Sequence, residues 1–211
     1  MDQQKLDRAN ILSNFIRSHG EVIYKYVNDM AVNDNAIGRA LIDINEYAPQ
    51  EAVDIKNAIK SGKVFISTGN SHELFGKSLT YNNIEYDGLN LFPYYSKEAN
   101  ERITGECTMH YDNLEDNIIG FQNRASLIQI DNNHLFTLIK GDADNKKSTY
   151  EGYTENNFYG TYLIGPLLIR NPHLTDYIVK KLLEEKGMKF HEDKDTPLYR
   201  AYLEYNKNFP N

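Results

Sequence analysis

The chain has 211 residues, 40% of them hydrophobic and 25% charged. That balance suits one globular domain, or one plus an appendage, and argues against a disordered chain. Acidic residues outnumber basic ones by 30 to 23, a formal charge of −7, so neither nucleic acid nor an anionic membrane is expected as the main partner. One cysteine, Cys107, excludes an internal disulfide and a thiolate-rich zinc site, and the six histidines show no metal-ligand helical spacing. With no apolar leader and no run of about 20 apolar residues, the expectation is a cytoplasmic protein, with no cofactor or metal implied.

Leu12, Phe15 and Ile16 form an apolar helical stripe that Gly20 ends. Glu21–Val27 and Ala40–Ile44 read as strands around a polar loop, Asn28–Asn35. After Pro49, Ala52, Ile55 and Ile59 recur at helical spacing up to Gly62. The unbroken apolar run Val64–Phe65–Ile66 then suits a strand covered on both faces, and helices interleaved with strands predict an α/β fold.

From Thr80 to Lys140 the pattern changes to short strand-like runs, including Glu106–Tyr111, Ser126–Ile130 and His134–Ile139. Asn132–Asn133 between the last two has the composition of a hairpin turn. Gly141–Tyr153 is polar and is expected as a surface loop. Asn171–Pro172 then supplies an N-cap and a first helical residue, Leu174, Ile178 and Leu182 a buried face, and Gly187 a stop. His173 falls in the first turn of this helix, the last one the pattern predicts. The whole is expected to be one domain, 1–211.

The most chemical-looking stretch is Val64–Ser78, VFISTGNSHELFGKS, which reads as a strand, a sharp turn and a short helix. Gly76–Lys77–Ser78 has the ending of a phosphate loop, but Ser71 stands where the opening glycine belongs, and Leu74 and Phe75 suit packing. Gly69–Asn70–Ser71 begins like a serine nucleophile elbow, but Glu73 is large and charged where a small residue is needed. His72 is expected as an exposed polar residue after the turn.

A third reading comes from four blocks in order: Ile66–Gly76 (ISTGNSHELFG), Arg102–Gly105 (RITG), Ile119–Arg124 (IGFQNR), and Gly160–Leu168 (GTYLIGPLL) with Asn171–Leu174 (NPHL). In these the chain resembles class I glutamine amidotransferases of the cobyric acid synthase (CobB/CobQ) type, in particular the glutaminase subunit of lipid II isoglutaminyl synthase. The resemblance runs from about Asp7 to Leu183. It implies a flavodoxin-like α/β fold: a mixed, mostly parallel sheet flanked by helices, an antiparallel-rich C-terminal half, and a site at the carboxyl ends of strands.

In that family a cysteine at the turn attacks the glutamine amide and a histidine in the G-T-Y-L-H-G block serves as its base. The resemblance sets Gly69 at the cysteine's place and Ile164 at the histidine's. Neither side chain can attack or carry a proton, and loss of one such group typically costs about a million-fold in turnover. Cys107 and His110 lie three apart on one strand, facing opposite ways, so they are poorly placed to substitute.

The family's opening apolar strand is replaced by the polar Met1–Lys5, so that strand is either lost or missing from the sequence. Ile42–Asn45 stands where the family has a strand and a glycine-rich turn.

The leading expectation is therefore a catalytically degenerate domain that binds or regulates a partner resembling an ATP-dependent ligase. One alternative is an active enzyme of altered chemistry, a hydrolase or amidotransferase using Ser71 as nucleophile, or one using Lys77 at a phosphate. The other is an amino-acid-binding protein with its pocket around Arg102, Gln122 and Asn70.

Overall fold

The computed structural model describes residues 49–208. The elements read from Leu12 to Ile44, and the polar start Met1–Lys5, lie outside the described residues. Helix α1 (Pro49–Lys60) ends as expected before Gly62, whose φ of +82° takes the chain out of the helix. Strand β1 (Phe65–Thr68) leads into a 3₁₀ turn, Gly69–Phe75, which delivers the chain to β2 (Ser78–Tyr81). Then come β3 (Ile84–Asp87), β4 (Tyr95–His110), β5 (Ile118–Gln129), β6 (His134–Lys140), β7 (Tyr150–Glu155), β8 (Phe158–Thr161) and β9 (Leu163–Ile164). Helices α2 (Leu167–Arg170), α3 (Pro172–Glu184) and α4 (Pro197–Asn208) follow.

Among the described residues these strands make one mixed sheet in the order β1-β8-β7-β6-β4-β2-β3, with β5 paired to β4 and β9 to β5. The α/β class holds. The parallel pairs are β1 with β8 and β2 with β4, and the others are antiparallel, as expected of the C-terminal half. The long β4 carries β2 near its start and β6 near its end on one edge, and β5 along the other.

Several expectations are corrected. Asn132–Asn133 is not a hairpin turn: Asn133 has a φ of +56°, but β6 turns away from β5 and pairs with β4 and β7. The asparagine pair that does close a hairpin is Asn82–Asn83, between β2 and β3. Both residues have positive φ, 49° and 59°, as a type I′ turn requires. Gly141–Tyr153 is not simply a surface loop, because Tyr150–Tyr153 belongs to β7 and Ala143 and Asp144 are buried beneath it.

Leu174 and Ile178 are buried as expected, but Leu182 is 38% exposed. Lys181 occupies the next place on the buried stripe, its ammonium donating to Tyr159 Oη at 2.9 Å. A further helix, α4, was missed. Thr196–Pro197 carried its start signal, and its buried stripe is made of tyrosines, Tyr199 and Tyr202, which donate to Asp176 Oδ2 (2.7 Å) and the Asn117 carbonyl (2.6 Å).

Asn171 makes no side-chain cap bond. Its fully buried amide accepts from Ile119 N at 2.8 Å and donates to the carbonyls of Ile119 (2.7 Å) and Leu167 (2.8 Å). It thus extends the free edge of β5 past β9 and ties α3 to the sheet. Asn171→Ala leaves both backbone groups of Ile119 on that edge unpaired and should cost about 2–4 kcal/mol in chemical denaturation. A loss under about 0.5 kcal/mol would show that the clamp is incidental.

Candidate functional site

The turn after β1 is built by packing. Phe75 joins Phe158, Phe92 and Tyr94 in one core cluster, and Leu74 packs on its edge, which fixes the 3₁₀ segment against the sheet. At its start Gly69 takes a φ of +62°, on the left-handed side that side chains avoid. A Cβ there would lie 2.9 Å from Ile164 Cγ2 of β9. The two positions singled out in sequence are therefore brought against each other, and a methyl group fills the gap between them.

The phosphate-loop reading fails on backbone geometry. Gly76 N donates to the Glu73 carbonyl (3.2 Å) and Lys77 N to the Tyr94 carbonyl (2.8 Å), so these amides are not turned toward an anion. The chain then enters a strand where a phosphate loop requires a helix. Lys77 Nζ is exposed and lies 3.1 Å from Tyr95 Oη.

Ser71 is exposed and its hydroxyl serves the turn, donating to the Thr68 carbonyl at 2.7 Å and lying 2.9 Å from Ser67 Oγ. Among the described residues no imidazole is one of its hydrogen-bond partners. Asn70 is half-buried beside Gly69. Arg102 sits in the irregular stretch of β4 where the register with β5 shifts. It is exposed, and its Nε donates to Asn123 Oδ1 at 2.7 Å.

Gln122, expected at the ligand, is fully buried, with Nε2 on the Asp142 carbonyl (3.0 Å) and Oε1 accepting from Arg124 Nε (3.0 Å). Both ends of its amide are spent inside the fold. Cys107 is buried and its thiol is pushed up by that burial, while His110, on the same strand, lies 3.6 Å from Asp112.

His72 is not exposed. It is wholly buried, its ring 4.5 Å edge-on from Tyr162, and no side chain among the described residues hydrogen-bonds to either ring nitrogen. Burial holds it neutral, lowering its pKa to about 3. Beside it lies a buried polar network that sequence reading missed. Arg124 donates to the carbonyls of Ser126 (2.8 Å), Asp144 (3.1 Å) and Ala143, with its guanidinium 4.1 Å over the Tyr162 ring. Ser126 Oγ donates to Glu73, and Glu151 accepts from Thr161 Oγ1 (2.7 Å) and Tyr162 N (2.6 Å). Burial raises Glu73 and Glu151 to about 7 each, against the pull of these hydrogen bonds and of Arg124.

The available signal was the two-residue period of β5, which places Gln122, Arg124 and Ser126 on the same inward face as Ile118 and Ile128. Polar residues on an inward face must find partners, and here they find the turn and the loop at Asp142–Asp144.

Among the described residues no three of His, Cys, Asp and Glu are grouped to hold a metal, and no helix is long and apolar enough to cross a membrane. Among the described residues the arrangement offers a shaped, packed turn whose exposed hydroxyl, Ser71, is spent on the turn itself.

Comparison with known proteins matches residues 45–172 to a CobB/CobQ-like glutamine amidotransferase domain. The chain is 31% identical over 137 residues to the lipid II isoglutaminyl synthase (glutamine-hydrolyzing) subunit GatD of Staphylococcus aureus, a match covering 64% of this chain and 56% of that protein. It is 24% identical over 164 residues to the Streptococcus pneumoniae protein of the same name, covering 76% and 62%. The matches thus span less than two thirds of the length of these curated relatives. Among solved structures, a glutamine amidotransferase from Thermotoga maritima aligns at 14% identity and a TM-score of 0.42, over 80% of this chain and 67% of that one.

The buried carboxyl of Glu73 yields a pH prediction. Its folded value lies above the 4.5 of an unperturbed chain, so its stabilising contribution is full below pH 4.5 and is lost as pH rises past about 7. Glu73→Gln stays neutral throughout. The unfolding free energy of the variant relative to the native chain should therefore rise by on the order of 2–3 kcal/mol across that window. Parallel stability curves for the two proteins would refute this assignment.

Proposed function

This chain belongs to the CobB/CobQ-like glutamine amidotransferase family, and from that membership we propose that it is a single domain of the family that has lost glutaminase chemistry and acts as a non-catalytic binding or regulatory subunit. The observation that carries this reading is the meeting of Gly69 and Ile164. Their alignment to the family's nucleophile and base follows from Leu74–Phe75–Gly76 and from Gly160–Leu168. A nucleophile and its base must touch, and the 2.9 Å approach of Ile164 Cγ2 to the place of a Cβ at residue 69 agrees with that pairing of positions. The strand, the sharp turn and the positive φ at Gly69 also suit a nucleophile elbow. What stands at both positions is inert.

The curated relatives are named as subunits of a glutamine-hydrolysing synthase. We extend the subunit role to this chain, with an ATP-dependent ligase-type protein as its partner. Arg102 is the surviving contact for a carboxylate, of a ligand or of that partner: its Nε is fixed by Asn123, and its terminal nitrogens have no protein partner among the described residues.

The test is ammonia release from glutamine, by the chain alone and with its co-purified partner. No turnover above the uncatalysed rate is expected, and Ser71→Ala should change nothing. Turnover that Ser71→Ala abolishes would overturn the proposal in favour of a serine hydrolase.

A further inference from the structure

At the end of β8 opposite to the one Gly69 adjoins, where the β7–β8 turn meets α3, the surface folds into a recess of about 360 Å3. Lys181 stands in it, with Nζ donating to Tyr159 Oη at 2.9 Å and lying 5.6 and 5.5 Å from the ring centres of Tyr159 and Tyr177. Burial draws this ammonium's pKa down, but the two phenols outweigh it and hold it above the ordinary lysine value. Glu155 also lines the recess, and its Oε2 accepts from Tyr153 Oη (2.6 Å) and Asn133 Nδ2 (3.3 Å).

Neither charge forms an ion pair among the described residues, whereas the neighbouring Lys180 lies 4.0 Å from Glu184. A lysine and a glutamate that line one recess without forming an ion pair, each held by an aromatic hydroxyl, offer the two opposite charges that a molecule bearing both would need. Asn133 and Asn156, with φ of 56° and 55°, and Thr154 add further polar lining.

We propose that this recess binds a small zwitterion, an α-amino acid or short peptide, with its carboxylate on Lys181 and its ammonium on Glu155. The volume lies at the small end of metabolite sites. Tyr159 is only 5% exposed, so the hydroxyl that orients Lys181 is fixed before binding, which lowers the entropy cost. The recess shares Asn113 and Tyr177 with a wider groove of about 740 Å3 along α3, which gives space for a side chain or a second residue. The site is separate from Gly69 and Ile164 and does not depend on how their chemistry is read.

Calorimetric titration of the full chain with the proteinogenic L-amino acids and glycylglycine tests this, with acetate and ethylamine as single-charge controls. At least one zwitterion should bind saturably. Its affinity should fall about tenfold or more in Lys181→Met and in Glu155→Gln, while Lys146→Met, at an exposed position outside both recesses, leaves it unchanged. Absence of saturable binding by any zwitterion would overturn the proposal, as would acetate binding as tightly as the best of them, or an affinity unmoved by both substitutions. Should Lys181→Met fail to fold, Glu155→Gln, at an exposed position, decides the question alone.

Discussion

Arg124 carries five N–H donors into the interior, where it is 1% exposed, so the elements around it must supply acceptors. The carbonyls of Ser126, Ala143 and Asp144 and the amide oxygen of Gln122 meet that demand, and Tyr162 lies beneath the guanidinium plane. This draws β5, the loop at Asp142–Asp144 and the Tyr162 segment into one unit. Through Ser126 and Glu73 the same unit reaches the 3₁₀ turn that begins at Gly69. Removing one member would leave others buried and unpaired, which is why such a network holds its geometry.

On the proposed reading, that constraint explains how the scaffold and the reaction part company. The blocks that mark the family are those the packing needs. Gly120 must lack a Cβ, because one would lie 2.9 Å from Leu163 Cδ2, and Tyr162 serves as the floor for Arg124. Asn171 completes the edge of β5. Positions 69 and 164 answer to each other instead: at a φ of +62° a Cβ on residue 69 would meet Ile164 Cγ2 at 2.9 Å, and glycine beside isoleucine satisfies both limits. On the proposed reading, the molecule keeps the turn and gives up the chemistry the turn once held.

Much of the fold was legible in the sequence because it follows from periodicity. The helix before Gly62, the strand at Phe65, the turn and the helix from Pro172 stand where apolar spacing put them. Hydropathy cannot report which strands pair: Asn132–Asn133 has hairpin composition, yet the strand after it pairs with β4 and β7 and not with β5. Nor can it report a core built from charge. Glu73, Asp144 and Glu151 look like surface residues until a buried arginine shows why they lie inside. The candidate site divides the same way: motif order paired Gly69 with Ile164, but the burial of Gln122 and the turn-capping role of Ser71 depend on contacts distant in sequence or on the path of the backbone.

The most direct test of the central claim is intact-protein mass spectrometry after incubation with an electrophilic glutamine analogue that alkylates an amidotransferase nucleophile. An unmodified mass, alone and with the partner bound, is the result this account requires. A stoichiometric adduct mapped to Ser71 or to Cys107 would contradict it.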